Sequence, residues 1–159
     1  MYRMLATNLY TLLNSSVFLS GFFAWFCTQL IKTIVEVSRG SHSSSFDILA
    51  SLVWRTGGMP SSHSALVTAL ATSLGFIEGL DSPIFVLSLF YCILTIRDAL
   101  GVRRAAGDQA QALNQLGGEL QERLEIKKFK VVKEVHGHSP AEVFIGSLLG
   151  FFIALAFCI

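Results

Sequence analysis

Four long apolar stretches divide the chain: Val17 to Val37, His63 to Glu78, Pro83 to Leu100 and Pro140 to Ile159. Each approaches the ~20 residues that cross a bilayer core. Hydrocarbon offers backbone polar groups no partner, so each is expected to be helical. A fifth stretch, FDILASLVW from Phe46 to Trp54, is too short to cross and is expected as a re-entrant or interfacial piece. Beyond the third span the pattern changes. Ala106, Ala110, Leu113, Leu116 or Gly117, Leu120 and Leu124 recur at helical spacing opposite Asp108, Gln111, Gln115 and Glu122. This predicts an amphipathic helix, bent or broken at Gly117-Gly118, that lies on the membrane, covers a site or packs as a connector on its own protein.

Composition points the same way. Of 159 residues, 52% are hydrophobic and 14% charged, so the expected fold class is all-α: a single membrane domain over 1–159, a bundle of about four spanning helices with a cytoplasmic amphipathic helix inside the loop 101–139. Cys27, Cys92 and Cys158 lie in apolar runs without CxxC spacing, which argues against a disulfide framework or a zinc site. The first apolar run leads into Lys32 rather than a small-residue cleavage site, so it reads as a span and not a signal peptide.

Basic residues crowd two loops. Arg39 and Arg55 precede the second span, and Arg103, Arg104, Arg123, Lys127, Lys128, Lys130 and Lys133 fill Gly101 to Ser139, whereas the link near Asp81 has none. The positive-inside rule puts both loops in the cytoplasm and both termini opposite, against which Arg3 is the one mild objection. KKFK at 127–130 would favour anionic headgroups. The net charge is only +1; a membrane and a lipid phosphate are the expected partners, and nucleic acid is not. Gly146 and Gly150 form a GxxxG pair suited to close packing within the bundle or between copies, so a homo-oligomer stays open.

Polar clusters open two of the spans. GGMPSSHSA, residues 57–65, offers glycine turns, a hydroxyl N-cap and a helix N-terminus that attracts anions. HGHSPAE, residues 136–142, offers Ser139 as N-cap, Pro140 at the first helical position and Glu142 at the third. His63 and His138 therefore stand at two helix mouths on one expected face. Lys32 near the end of the first span, Arg39 seven residues later and Lys133 five before His138 make that face cationic. Cations, N–H donors and two imidazoles suit a phosphate: one imidazole can attack phosphorus, the other can protonate the leaving oxygen, and a carboxylate four residues away can fix a tautomer. His136 and His138 could hold a metal with Glu142, but further ligands are lacking and neither metal nor cofactor is expected. His42 reads as solvated. Arg97 and Asp98 can pair at the interface, and Arg103 and Arg104 fit topology anchors as well as phosphate ligands; the sequence assigns no role to Arg55 or His136.

PSSH followed by an apolar helix, Lys32 with Arg39 after six intervening residues, and His138 with Glu142 after three resemble the three signatures of the type 2 phosphatidic acid phosphatase and vanadium haloperoxidase superfamily. GGMPSSHSA, DALGVRRAAGDQAQALN (98–114) and KEVHGHSPAEV (133–143) resemble its small divergent membrane branch, over most of residues 29–150. The resemblance implies His138 as a nucleophile forming a phosphohistidine, Glu142 as its orienting group, and His63 as the general acid. Lys32, Arg39 and the Ser62 region would hold phosphoryl oxygens. The chain departs from the pattern at Gly40, where a proline is expected, at a serine replacing glycine in the second block, at Val131 and Val132 in place of a Ser-Arg pair, and at Glu142 in place of aspartate; Lys133 falls one place out of register. The implied function is a metal-independent lipid phosphate or diphosphate phosphohydrolase at the cytoplasmic face. The alternative is a noncatalytic lipid-phosphate carrier or translocator using the same pocket, and vanadate-dependent halide oxidation fits so small a membrane chain less well.

Overall fold

The computed structural model describes residues 2–38, 58–124, 129–134 and 137–159. Six helices account for nearly all of them: α1 (Tyr2–Leu13), α2 (Ser16–Ser38), α3 (Ser62–Glu78), α4 (Pro83–Leu100), α5 (Val102–Leu124) and α6 (Pro140–Cys158). The interfacial stretch expected at Phe46 to Trp54 lies outside the described residues, as do Arg39, His42, Arg55, Lys127, Lys128 and His136.

The molecule is an all-helical integral membrane protein. α2, α4 and α6 are long and apolar enough to cross a bilayer. The fourth expected span, α3, has 17 residues and is therefore only about 25 Å long. It occupies the middle of the bundle, packing on α2, α4 and most extensively on α6. α1 was not anticipated from the apolar pattern; it touches only α2 among the described elements and leaves Leu9, Tyr10 and Leu12 exposed.

Large and small residues are distributed as a lipid solvent requires. α2 turns Ser20, Gly21, Ala24, Thr28, Gln29, Lys32 and Thr33 inward and leaves Phe22, Leu30 and Ile34 outside. With lipid as apolar as leucine, burying large side chains gains little, and contact is made where small residues let backbones approach. The α3–α6 contact is the clearest case. A Cβ at Gly146 would fall on the Ser61 carbonyl oxygen and one at Gly150 on the Ala65 carbonyl oxygen. The GxxxG pair thus packs inside the bundle. Buried hydroxyls add to the joint between α2 and α3, where Ser20 Oγ donates to Ser73 Oγ at 3.1 Å.

Two caps set where the helices start. Ser61 precedes α3 and its hydroxyl accepts from the Ser64 amide; Ser139 precedes α6 in a complete capping box with Glu142, and Pro140 takes the first helical position. Gly58, at φ 79°, and a cis Met59–Pro60 bond lead the chain into the first of these caps.

α5 corrects one expectation. It runs without a break through Gly117-Gly118, although each glycine costs an exposed helix about 1 kcal/mol relative to alanine. Tertiary packing overrides that cost at Gly117: a Cβ there would strike the Phe129 ring. α5 follows α4 after the single residue Gly101 and packs against no other helix among the described residues.

Candidate functional site

Four helix ends meet at one end of the bundle: the close of α2, the opening of α3, the close of α4 and the opening of α6. The joints are specific. Ser61 N donates to the Glu142 carbonyl oxygen at 3.0 Å, and His138 N to the Ala99 carbonyl oxygen at 3.3 Å. A Cβ at Gly137 would fall on the Arg104 backbone. The loop before α6 is therefore laid over the α4–α5 junction, and only glycine fits that crossing.

These joints bring the sequence-predicted residues together. Lys32 is 3% exposed and its Nζ donates to Ser62 Oγ at 3.4 Å. A lysine so buried in a membrane bundle is costly without polar company, which makes it a functional candidate by position alone. Ser62, the first residue of α3, is buried, and its neighbour His63 is exposed. His138 is buried, and its ring centroid lies 6.4 Å from that of His63 at an interplanar angle of 50°.

Glu142 does two things with one atom. Its Oε2 accepts from the Ser139 amide at 3.0 Å and lies 3.2 Å from His138 Nδ1. The capping role and the orienting role coexist. With Nδ1 engaged by a carboxylate, Nε2 is the nitrogen left to present a lone pair, the arrangement a nucleophilic imidazole needs.

Arg103 belongs to the same cluster. It lies within electrostatic reach of His63, as do His138, Lys32 and Asp98. Arg103 Nε donates to Asp98 Oδ2 at 2.7 Å, so Asp98 pairs with the arginine one turn beyond it. The pairing of Asp98 with Arg97 allowed by the sequence is replaced by this one, because the DALGVRR run sets Asp98 and Arg103 on either side of the α4–α5 junction. The Ala99 carbonyl that holds His138, and the Ser61–Ser64 hydroxyl pair at 3.0 Å, carried no signal of their own because any residue supplies a carbonyl and serines cap many helices.

Two expected ligands stand apart. Lys133 is exposed in the extended segment 129–134, which is fastened to Asn114 of α5 by Val132 N to Asn114 Oδ1 and Asn114 Nδ2 to Val132 O, each 2.8 Å. Arg104 is exposed and meets Gly137 through its backbone. Arg39 lies outside the described residues.

A cavity of about 670 Å³ opens between α2, α6 and residues 58–60, and it reaches the site through Lys32 and Glu142. Lys32, Glu36 and Glu142 give it polar walls near the site; Ile31, Val35, Ile145 and Leu149 make the rest apolar. It is within the size range of ligand pockets, ≈ 300–1,000 Å³.

A family model described as "Divergent PAP2 family" matches residues 13–153. The chain is 40% identical over 156 residues to the Bacillus subtilis (strain 168) protein named "Uncharacterized membrane protein YuiD", covering 91% of this chain and 94% of that one. No solved structure gives a significant match.

Proposed function

Because the chain belongs to the divergent PAP2 family, we propose that it is a lipid phosphate or diphosphate phosphohydrolase working through a phosphohistidine on His138. The observation that carries this reading is the pairing of a buried, carboxylate-bound His138 with His63 at 6.4 Å beside a buried lysine. His138 Nε2 attacks phosphorus, the bond from phosphorus to the leaving oxygen breaks, and His63 gives that oxygen its proton. Water then attacks the phosphorus, the P–N bond breaks, His63 takes the water's proton, and phosphate leaves with His138 restored. Lys32, Arg103 and the Ser62 hydroxyl hold the phosphoryl oxygens, and Glu142 stabilises the charge that His138 acquires.

In this reading Arg39 keeps the phosphate-holding role expected from the sequence, and Lys133 and Arg104, which stand apart from the histidines, take no part in the reaction. The substrate's apolar tail stays in the bilayer or enters the cavity between α2 and α6. The site faces the cytoplasm, on the distribution of loop cations. No step calls on a metal.

The test is phosphate release by the purified, detergent-solubilised protein from a panel of lipid phosphates and diphosphates with chelator present. Wild type should release phosphate, and His138→Ala should lower release by roughly 10³-fold or more, as losing a nucleophile does. Full activity in His138→Ala would refute the nucleophile assignment. Binding of lipid phosphates by wild type with no release would replace the hydrolase reading by a carrier.

A further inference from the structure

Asp98 has no part in the reaction as written above, yet it grips one of the groups that does. Arg103 Nε donates to Asp98 Oδ2 at 2.7 Å. On a straight α-helix, residues five apart lie about 140° around the axis from each other. The bond therefore depends on the break at Gly101, whose φ of −105° and ψ of −82° separate α4 from α5. Both side chains are close to half exposed, and an ion pair in that setting adds little to stability. What it supplies is direction.

We infer that Asp98 is a positioning residue, which holds the Arg103 guanidinium by its Nε–H so that its two Nη groups face a phosphoryl group between His63 and His138. The inference rests on the phosphate site of the proposed function. A guanidinium carries five N–H donors in a rigid planar fork. Asp98 takes the one on Nε, and among the described residues no other group bonds the Arg103 side chain. Both Nη groups stay open to a phosphate, which arginine binds through paired N–H donors.

Two backbone joints place the pair at the site. Ala99, next to Asp98, accepts the His138 amide at 3.3 Å. Arg104, next to Arg103, has its backbone against Gly137, the neighbour of His138. Asp98 and Arg103 thus flank the strip of chain that carries the nucleophile, and both lie within electrostatic reach of His63. Lys32 is buried and confined by the bundle around it; Arg103, at the surface, is held by Asp98. A clamped arginine is preorganised, whereas a loose one must be ordered each time a ligand binds.

Titration of inorganic phosphate with the purified, detergent-solubilised protein, followed by phosphorus NMR, tests this, because it reads binding whether or not lipids are hydrolysed. Arg103→Ala should weaken phosphate binding by roughly 10- to 100-fold, the range for a hydrogen bond between charged groups. Asp98→Ala should weaken it by roughly 3- to 10-fold, and in the Arg103→Ala background it should have no further effect, because Asp98 acts through the arginine. Asp98→Asn, which keeps an acceptor for Nε without the charge, should lose less, and it carries the same comparison if Asp98→Ala does not fold. Three results would overturn the inference: tighter binding in Asp98→Ala, which makes Asp98 a competitor for the arginine; losses that add in the double variant, which give Asp98 an effect of its own; and unchanged affinity, which leaves the pair as a strut of the α4–α5 junction. Wild-type protein that binds phosphate but releases none from lipids would sink the hydrolase reading and leave this inference standing, whereas wild-type protein that binds no phosphate would overturn both.

Discussion

The two helix mouths that carry the histidines are built differently. At α6, His138 is buried, its backbone is tied to Ala99, and its ring is held by the carboxylate that also caps the helix. At α3, the buried group is the Ser61 cap with its Ser64 partner, while His63 is exposed beside them. A ring fixed on two sides suits a nucleophile, whose attack depends on aim at about the 1 Å level. An exposed ring suits a group that exchanges protons with a leaving oxygen and then with water. The contrast teaches that one residue type, set just inside the cap at α3 and just ahead of it at α6, acquires different chemistry through what packs on it.

Changing the leaving group should break the symmetry between the mouths most sharply. His63→Ala should lower release from a lipid phosphate by roughly 10²–10⁴-fold, the usual worth of a general acid. On an aryl phosphate, whose leaving oxygen needs little protonation, most of that loss should vanish, whereas His138→Ala should stay inactive on both. Equal losses on both substrates would show that His63 has another role.

Glu142→Gln separates the two duties of one atom. Glutamine still accepts the Ser139 amide and keeps the capping box, so the thermal midpoint should hardly move. The charge-assisted bond to His138 is lost, and release should fall by roughly 10- to 100-fold, the equivalent of about 1.5–3 kcal/mol. A variant that unfolds early but turns over normally when folded would leave Glu142 as a cap alone.

The caps themselves give the smallest effects. Ser139→Ala and Ser61→Ala should each cost about 1 kcal/mol, measured as a lowered thermal midpoint in detergent. Ser61→Ala should cost more, since it strands the buried Ser64 hydroxyl that now donates to Ser61. The reverse order would mean that the α6 mouth, not the α3 mouth, is the better-buried joint.

Much of this was legible beforehand because it is local. The apolar runs located α2, α3, α4 and α6; the Ser-Pro-x-Glu run gave the capping box; PSSH gave the α3 cap, and the three motif blocks matched a family over most of the chain. The α5 periodicity was also legible, but Gly117 misled, because glycine reads as a breaker until Phe129 is seen lying on it. α1 was missed because twelve residues with mixed polar positions carry no span signal.

What the sequence determined by itself, then, is everything that depends on neighbours within one helical turn: solvent, element type, caps, and the identity of the groups that could touch phosphate. Only the tertiary structure decided which of those groups meet. Lys32 reaches Ser62 across thirty residues, His138 reaches Ala99 and His63 across the bundle, and Lys133 is carried away with the segment bound to Asn114. Such contacts depend on how closely α3 and α6 approach, and that distance is set by Gly146 and Gly150, whose GxxxG spacing was legible but whose partners, the Ser61 and Ala65 carbonyls, were not.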